Sequence, residues 1–167
     1  MALLYLGLGS NLGNRKAILL QAIEELKKRI GTCQRLSAFY ETAPWGFRSS
    51  HTFLNAVAAF YTELSPEQAL FITQNIEKHL GRTHKSHGGQ YADRSIDIDL
   101  LLYDNVILDA DYTADNSHTV HLTLPHPLMH ERLFVMEPLA EIAPDGMHPV
   151  LHKTYSQLLT ELQTPKD

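Results

Sequence analysis

The sequence contains a single cysteine, Cys33, among 167 residues, so no disulfide can form within the chain. It also lacks a surplus of Lys and Arg, because its formal net charge is −5, which argues against a general nucleic-acid or membrane-surface binder. No apolar run reaches the roughly 20 residues that a membrane-spanning helix needs. The apolar start, residues 1–9, has neither a basic segment nor a small-residue cleavage site, so we expect no signal peptide. These absences predict a cytoplasmic protein with no nucleic acid and no membrane as partner.

The length of the chain fits one domain, residues 1–167, with a sizeable core. The composition is that of a globular protein, since 44% of the residues are hydrophobic and 20% are charged. Ten histidines are many for this length, but they are scattered, and no Cys/His spacing fits a structural zinc site.

Hydrophobic periodicity and capping residues divide the chain into strands and helices. The predicted strands cover residues 3–8, 35–41, 53–64, 95–103 and 106–108. One predicted helix runs from Asn14 to about Ile30, and another from Ser65, where Gln68 completes a capping box, to near Gly81. The order strand, helix, strand, strand, helix, strand predicts a ferredoxin-like βαββαβ sandwich of the α+β class, with an antiparallel sheet.

The pattern is weaker beyond this βαββαβ unit. Residues 109–117 are polar and predict a loop, whereas residues 122–127 predict an extended segment because their prolines exclude a helix. Helices are predicted over residues 130–142, interrupted by Pro138, and over residues 154–162. We therefore expect an extra C-terminal hairpin and helices on the sandwich.

The strongest chemical signal lies in the strand predicted over residues 95–103. Asp97 and Asp99 share one face of this strand, about 6.6 Å apart along the chain. Four apolar residues alternate with them and are predicted to face the helices, namely Ile96, Ile98, Leu100 and Leu102. The acidic face is then free to hold a site. Carboxylates at this spacing can share one or two Mg²⁺ ions with substrate phosphates. The alternative is a solvated strand face, although adjacent carboxylates repel unless a cation offsets them.

A basic loop, residues 82–94, leads into this acidic strand. Its cationic and titratable residues are Arg82, His84, Lys85, His87 and Arg94. Gly88 and Gly89 allow unusual backbone angles. A mobile cationic loop beside an acidic metal strand suits polyphosphate transfer, in which metal ions neutralise some oxygens and Arg clamps others. The alternative is a surface loop whose charges are placed by chance.

Residues 7–13 contain three glycines but do not form a dinucleotide-binding fingerprint. Their spacing is G-x-G-x-x-x-G, and no second parallel strand with an acid at its end follows the first helix. We interpret the segment as a tight strand-to-helix turn in which Ser10, Asn11 or Asn14 caps the helix.

Several other side chains have both a structural and a functional interpretation. His126, between two prolines, could bind phosphate or satisfy backbone carbonyls. Gln74 and Glu77 flank the apolar face of the second helix and could simply be solvated. Three aromatic residues beside loops could pack in the core or stack on a flat heterocycle, namely Trp45, Phe53 and Phe134.

Six separated blocks, in a fixed order from about residue 3 to 144, carry a resemblance to a known family. The blocks are Leu8-Gly9-Ser10-Asn11-Leu12-Gly13, Phe39-Tyr40-Glu41-Thr42-Ala43-Pro44, Phe53-Leu54-Asn55-Ala56, Ile76-Glu77 with Gly81-Arg82, Arg94-Ser95-Ile96-Asp97-Ile98-Asp99-Leu100, and Pro125-His126-Pro127 with Met129, Arg132 and Phe134. Together they resemble the 6-hydroxymethyl-7,8-dihydropterin pyrophosphokinase family of folate biosynthesis.

The resemblance implies an activity and a set of site residues. The enzyme would transfer the β,γ-pyrophosphate of ATP to the hydroxymethyl oxygen of a reduced pterin and release AMP, with two Mg²⁺ ions bridged by Asp97 and Asp99. The implied catalytic residues are Arg82, Arg94, Asp97 and Asp99. The implied ATP-binding residues are Gln74, Glu77, Arg82, Ile98, His126 and Arg132. The implied pterin-binding residues are Thr42, Pro44, Trp45, Phe53, Asn55, Asp97 and Phe134, with Phe53 and Phe134 on the two faces of the ring.

Two positions in the basic loop depart from the family pattern. Tyr91 stands near the place of a common Trp, and His84 stands where a second Arg is common.

A metal-dependent nucleotidyltransferase is an alternative enzyme, because polymerase-like palms also place paired Asp on an antiparallel sheet. A histidine-rich metal-binding module is the non-enzymatic alternative. We expect a monomer or a weak homodimer.

Overall fold

A computed structural model describes residues 1–43, 52–81, 95–113 and 119–164 of the chain. The strands are β1 (Ala2–Ser10), β2 (Thr32–Leu36), β3 (Tyr40–Thr42), β4 (Phe53–Thr62), β5 (Asp97–Tyr103), β6 (Leu108–Thr113) and β7 (Thr119–Leu124). The helices are α1 (Arg15–Arg29), α2 (Pro66–His79), α3 (Leu133–Ile142) and α4 (Tyr155–Gln163), with a 3-10 turn at Met129–Glu131 before α3.

The strands β1 to β5 form one sheet in the described part of the chain. Its order is β2-β4-β1-β5, and β3 extends it by pairing with β4. Every one of these pairings is antiparallel. The predicted α+β class with an antiparallel sheet is confirmed, and β1 is a central strand with β4 on one side and β5 on the other.

Helix α1 begins and ends where its capping residues predict. The Asn14 side chain accepts a hydrogen bond from the backbone N–H of Ala17 at 3.2 Å, which satisfies one of the free N–H groups of the first turn. After the helix, Gly31 has a φ of 157°, and a Cβ at this position would lie 1.9 Å from the carbonyl oxygen of Tyr61. The chain can therefore turn against β4 here only with glycine.

Helix α2 begins with the predicted capping box. The Ser65 hydroxyl accepts from the Gln68 N–H at 3.2 Å, and the Gln68 side chain accepts from the Ser65 N–H at 2.9 Å. Helix α4 has the same arrangement between Thr154 and Gln157. Both helices thus have a local signal that fixes their first residue.

Helices cover both faces of the sheet. Helices α1 and α2 and the β6–β7 hairpin pack in one apolar core, against alternate residues of β1 such as Leu4 and Leu6. Helices α3 and α4 pack in a second core, against the opposite face around Val57 and Ala59. The alternation of residues 95–103 predicts that this second face is free, whereas in the structure α3 and α4 cover part of it and leave a cleft at the end that carries the acidic residues.

The side-chain alternation of β5 is interrupted by a β-bulge. The register places Leu6 opposite Leu100 but Tyr5 opposite Leu102, so Leu101 is an extra residue. As a consequence, Leu102 packs in the core beneath α3, opposite to the predicted face, whereas Ile98 and Leu100 face α1 and α2 as predicted.

Three other predicted elements differ in the structure. The strand predicted over residues 35–41 is divided into β2 and β3, and the predicted 106–108 strand begins instead at Leu108. The polar segment predicted as a loop from residue 109 continues as β6 to Thr113 and pairs with β7. Its alternate residues Leu108 and Tyr112 reach the first core, which stabilises a strand despite the polar sequence. Within the described ranges, no helix is long and apolar enough to span a membrane.

Candidate active site

The floor of the candidate site is a pair of glycines in the middle of the sheet. Gly9 pairs with Asn55 of β4 and with Asp97 of β5, and Gly7 pairs with Val57 and with Asp99. Each row of three residues crosses three strands, so the ends of a row lie about 10 Å apart. The missing side chains in the middle of each row leave a hollow between β4 and β5.

Gly9 is needed for the polar end of this hollow. A Cβ on Gly9 would lie 2.8 Å from Oδ1 of Asn55 and 3.5 Å from the ring of Phe53. Asn55 is 5% exposed, and its Nδ2 donates a hydrogen bond to Oγ1 of Thr42 at 2.6 Å. That bond fixes the amide so that its oxygen lies over Gly9, where it can accept a hydrogen bond from a ligand.

The resulting cleft has a mainly apolar lining and about 560 Å³ of atom-free space, which includes the open solvent at its mouth. Among the residues lining it are Thr42, Phe53, Asn55, Asp97, Asp99, Arg132 and Phe134. The structure therefore brings together all of the pterin-site residues predicted within the described ranges. Pro44 and Trp45, predicted for the same site, lie outside the described residues.

Arg132 lies between the acidic strand and the aromatic wall. Its side chain is 3% exposed, its Nη1 lies 4.0 Å from Oδ2 of Asp99, and its Cζ lies 5.6 Å from the centre of the Phe134 ring. Burial lowers the pKa of Arg132 to about 10, so the guanidinium stays charged at neutral pH. A cation in such a desolvated place attracts anionic groups more strongly than one at the surface.

A second, more polar cleft adjoins the first. It is lined by residues of α2, β5, the β6–β7 hairpin and the segment after β7, including Gln74, Glu77, Asp97, Ile98, Asp99, His121, Thr123 and His126. Asp97 and Asp99 line both clefts, because β5 lies at the edge of the described sheet. The carboxylate pair is therefore shared between an apolar and a polar compartment.

Glu77 supports the acidic strand from the side of α2. This buried carboxylate accepts a hydrogen bond from the backbone N–H of Ile98 at 2.8 Å, and Ile98 lies between Asp97 and Asp99. The bond holds the edge strand against α2. The assignment of Glu77 to ATP binding stays a prediction.

His126 is fixed in one tautomer. Its Nδ1 accepts a hydrogen bond from the backbone N–H of Leu128 at 3.2 Å, so the ring proton of the neutral form is on Nε2. Burial lowers the pKa of His126, and nearby Asp97 acts in the opposite direction. Its backbone N–H donates to the carbonyl of Leu101 at 2.9 Å, which ties this segment to β5. A neutral ring that donates from Nε2 suits an anionic or ribose oxygen.

The donor set at β5 fits a hard divalent cation. Mg²⁺ binds through one or two carboxylates and takes its other ligands from substrate phosphates and water. Asp97 and Asp99 supply two carboxylates beside a polar cleft, and among the described residues no group of three or more His, Cys, Asp or Glu is placed to hold a metal alone. The residues thus fit an ion that arrives with a phosphorylated substrate.

Some predicted site residues lie outside the described ranges, and other residues line the clefts without having been predicted to do so. Arg82 and Arg94, predicted to act in catalysis, and the departures His84 and Tyr91 lie outside the described residues. Gly7 and Gly9, predicted as part of a strand-to-helix turn, lie in β1, and His121, which had no predicted site role, lines the polar cleft. Their positions in the clefts follow from strand register, which pairs residues far apart in sequence and leaves no local pattern.

Fold and site together define an α+β protein with a carboxylate pair shared by two clefts. The family model described as 7,8-dihydro-6-hydroxymethylpterin-pyrophosphokinase (HPPK) matches residues 5–144. The chain belongs to this family.

Individual relatives agree with the family assignment. A 2-amino-4-hydroxy-6-hydroxymethyldihydropteridine pyrophosphokinase of Porphyromonas gingivalis is 51% identical over 149 residues, covering 89% of this chain and 95% of the relative. The protein of the same description from Aquifex aeolicus is 37% identical, covering 96% of this chain and 92% of the relative. The Bacillus subtilis protein of that description is 40% identical, covering 83% and 76%.

A solved structure shows the same fold. The crystal structure of Plasmodium falciparum HPPK-DHPS, wild type, matches with a TM-score of 0.77 at 15% identity and covers 96% of this chain. The chain spans 44% of the length of that protein. At this level of identity the match supports the fold alone.

Proposed function

We propose that this protein transfers the β,γ-pyrophosphate of ATP to the hydroxymethyl oxygen of 6-hydroxymethyl-7,8-dihydropterin and releases AMP, as a step of folate biosynthesis. The observation that carries the proposal is the position of Asp97 and Asp99, which line an apolar and a polar cleft at once. A phosphotransfer enzyme must hold an acceptor and a nucleotide on the two sides of one reacting phosphate. Membership of the pyrophosphokinase family supports this choice of acceptor.

The apolar cleft suits the pterin. Two aromatic rings, Phe53 and Phe134, flank a glycine floor, an arrangement that favours a flat heterocycle. The Asn55 oxygen lies over Gly9 and can accept a hydrogen bond from the ring edge, while Thr42 fixes the amide. An asparagine that is buried and oriented in this way discriminates between heterocycles by hydrogen bonding, because a wrong partner leaves it unsatisfied.

The polar cleft suits ATP. His126 offers an N–H donor from Nε2, and Gln74 supplies a further polar side chain. Arg132 lies on the other side of the acidic strand and carries a positive charge towards Asp99. As the pyrophosphoryl group moves from the nucleotide to the acceptor, this guanidinium can stabilise its negative charge.

Asp97 and Asp99 would hold Mg²⁺ ions, which when bound neutralise phosphate oxygens and stabilise both the attacking and the leaving oxygen. The protein itself orients the two substrates. The pterin oxygen forms a bond to the β-phosphorus, the bond to the α,β-bridging oxygen breaks, AMP leaves, and the hydroxyl proton passes to solvent. Positioning and electrostatic stabilisation would supply the rate.

The ferredoxin-like description of the fold belongs to the same proposal. Strand β4 lies between β2 and β1, and β1 lies between β4 and β5, with α1 and α2 on one face. This order, with β3 as an extension of the sheet, supports two interleaved split βαβ units.

A nucleotidyltransferase is the alternative that the carboxylate pair also allows. It would attach AMP to the acceptor and release pyrophosphate. The experiment is to incubate the protein with ATP, Mg²⁺ and the hydroxymethyl pterin and to quantify the products by chromatography. We expect one free AMP for each pterin consumed. Free pyrophosphate without AMP would contradict the proposal, and so would the absence of turnover.

The histidine-rich metal-binding alternative has less support. His130 and His148 lie with ring centres 6.1 Å apart, but Nδ1 of His148 accepts from two backbone N–H groups and is not available to a metal. Calorimetry with Zn²⁺ and with Mg²⁺ plus a non-hydrolysable ATP analogue separates the two functions, and we expect a binding signal in the second experiment.

A further inference from the structure

A small polar cluster joins the start of α1 to the two strands beside the apolar cleft. Arg15 is the first residue of α1, and its Nη1 donates to the Thr52 carbonyl at 3.1 Å and to the Thr52 hydroxyl at 2.9 Å. The same nitrogen lies 3.4 Å from Oε1 of Glu41, and the Thr52 hydroxyl donates to that carboxylate oxygen at 2.7 Å. We call Arg15, Glu41 and Thr52 the Arg15 cluster.

The Arg15 cluster lies at the end of a very short ladder. Strand β3 has three residues, and its last one, Thr42, pairs with Phe53, the first residue of β4. Glu41 immediately precedes Thr42, and Thr52 immediately precedes Phe53. The cluster therefore clamps the strand ends that carry two residues of the apolar cleft.

The opposite end of β3 is held by a different helix. Glu141 of α3 accepts from the Tyr40 hydroxyl at 2.6 Å and from the Ala38 backbone N–H at 3.1 Å. A three-residue strand paired on one side would be marginal alone. Contacts from Glu141 at one end and Arg15 at the other therefore add to the three ladder pairs that hold β3.

We propose that Arg15 is a positioning residue for the pterin site, which holds Thr42 and Phe53 in place at the wall of the apolar cleft. This inference rests on the proposed function. Arg15 is not among the described residues that line the cleft, so its effect passes through the strand ends. A shift of Thr42 would also release the amide of Asn55, because the two side chains share a hydrogen bond.

The charge of the cluster supports this role. The hydrogen bond from Thr52, followed by the charge of Arg15, lowers the pKa of Glu41, so the carboxylate is ionised throughout the neutral range. Arg15 is partly exposed and Glu41 is exposed, so the ion pair contributes little to global stability. A change in Arg15 should consequently alter local geometry far more than it alters unfolding.

The test compares the two substrates of the reaction. Arg15→Gln and Thr52→Val each remove hydrogen bonds of the cluster, and we expect each to raise the KM for the pterin roughly fivefold to tenfold, the net effect of one typical hydrogen bond. The KM for ATP should stay within about twofold of the unmodified protein. Thr52→Ser keeps the hydroxyl and should recover most of the pterin affinity that Thr52→Val loses.

Arg29→Gln is the matched control. Arg29 ends the same helix and donates one hydrogen bond to Oδ1 of Asn75 at 2.8 Å, far along α1 from the cleft. Arg29→Gln should leave both KM values unchanged, although it also removes a hydrogen bond made by an arginine of α1.

The possible outcomes distinguish a failure of the positioning role of Arg15 from a failure of the proposed function. If the unmodified protein consumes the pterin and Arg15→Gln behaves like Arg29→Gln, the positioning role is wrong and the proposed function stands. Equal increases in both KM values would also overturn it, because they indicate a general loss of structure. If the unmodified protein does not consume the pterin, the proposed function fails and the inference fails with it.

Discussion

Asp97 and Asp99 lie side by side on β5, and the carboxylate of Asp99 lies 4.0 Å from a buried guanidinium. Adjacent like charges on a strand destabilise it unless a cation is near. Arg132 offsets part of this repulsion, and the fit to Mg²⁺ would offset the rest. Under the proposed function, this pair serves a bound ligand rather than the stability of the strand.

Substitution of either acid should separate activity from folding. We expect Asp97→Asn and Asp99→Asn each to lower kcat at least about 100-fold, because each removes a carboxylate from the metal and phosphate site. Thermal unfolding should change by no more than a few degrees, since neither side chain packs in a core. Turnover is measured with ATP, Mg²⁺ and pterin.

Asp145→Asn is the control for these variants, since Asp145 is exposed in the turn after α3 and far from β5 in sequence. It should keep full activity. Near-normal turnover by Asp97→Asn or Asp99→Asn would show that the metal assignment is wrong.

At the scale of elements, the site depends on an edge strand that is held by a helix. Glu77 of α2 satisfies the Ile98 N–H, and the segment after β7 contributes the His126 N–H to the carbonyl of Leu101. Both contacts act on β5, on its backbone rather than on its side chains. They hold the acidic strand in position without neutralising it.

Removal of the hydrogen bond between Glu77 and the Ile98 N–H should lower the stability of the fold. Glu77→Ala leaves the buried Ile98 N–H without this acceptor, and we expect a loss of about 1–3 kcal/mol in the free energy of unfolding. Glu77→Gln keeps an amide oxygen as acceptor and should recover much of that loss. Urea unfolding measures the free energy of unfolding of both variants. Equal stability of the Ala and Gln variants would contradict a role for this hydrogen bond.

The elements were predictable where a local signal exists. The Asn14 cap and the Ser65–Gln68 box mark the first residues of α1 and α2, and the structure confirms both. The bulge at Leu101 was not predictable, because an apolar run reads the same with or without an extra residue. Strand β6 was missed for a related reason. Its exposed Asp109 and Asp111 made the segment read as a loop.

The candidate site was predictable in its acids and not in its architecture. Alternation along one strand placed Asp97 and Asp99 on a common face. The rows that join them to Asn55 and Val57 through glycines depend on the register between distant strands. Residues such as Arg15, which act through neighbouring strands, have no sequence signature at all.

At the scale of the whole molecule, buried histidines make stability depend on pH. Burial lowers the pKa of His148, and its neighbours His130 and His152 act in the same direction. Its Nδ1 accepts from the N–H groups of Val150 and Leu151 at 3.2 and 3.0 Å, which protonation would break. Below the ordinary value of 6.5, the unfolded chain binds a proton here that the folded chain does not, so stability falls as the pH falls.

The contribution of His121 to stability changes with pH in the opposite direction. Its hydrogen bond to Asp111, joined by Asp109 at the other ring nitrogen, raises its pKa, although desolvation of the ring acts in the opposite direction. The stability that it contributes is therefore present at low pH and is lost as the pH rises through its folded value. Because this ring is on the surface, we expect His148, together with His126, to dominate the acid side.

The free energy of unfolding should therefore decline in the acid interval below about pH 6.5. His148→Asn should be less stable near neutral pH and should show a smaller decline over the same interval. His79→Gln, an exposed residue at the end of α2, serves as the control and should keep the slope of the unmodified protein. An unchanged slope in His148→Asn would assign the acid sensitivity to other groups.

At the scale of the whole molecule, the helices on the two faces of the sheet leave a cleft at its acidic end, where the proposed function places both substrates. Helices α1 and α2 close one face, and α3 and α4 close most of the other. The expectations of a single domain, of a monomer or weak homodimer and of a cytoplasmic location stay predictions. Gel filtration with light scattering measures the oligomeric state.

The central claim is that the β and γ phosphates move together to the pterin. The most direct measurement is to run the reaction with ATP radiolabelled at the α, β or γ phosphorus and to isolate the pterin product. We expect the β and γ labels in the pterin product and the α label in AMP. Only the γ label in the product would indicate simple phosphoryl transfer. The α label there would indicate a nucleotidyltransferase, and either result would contradict this account.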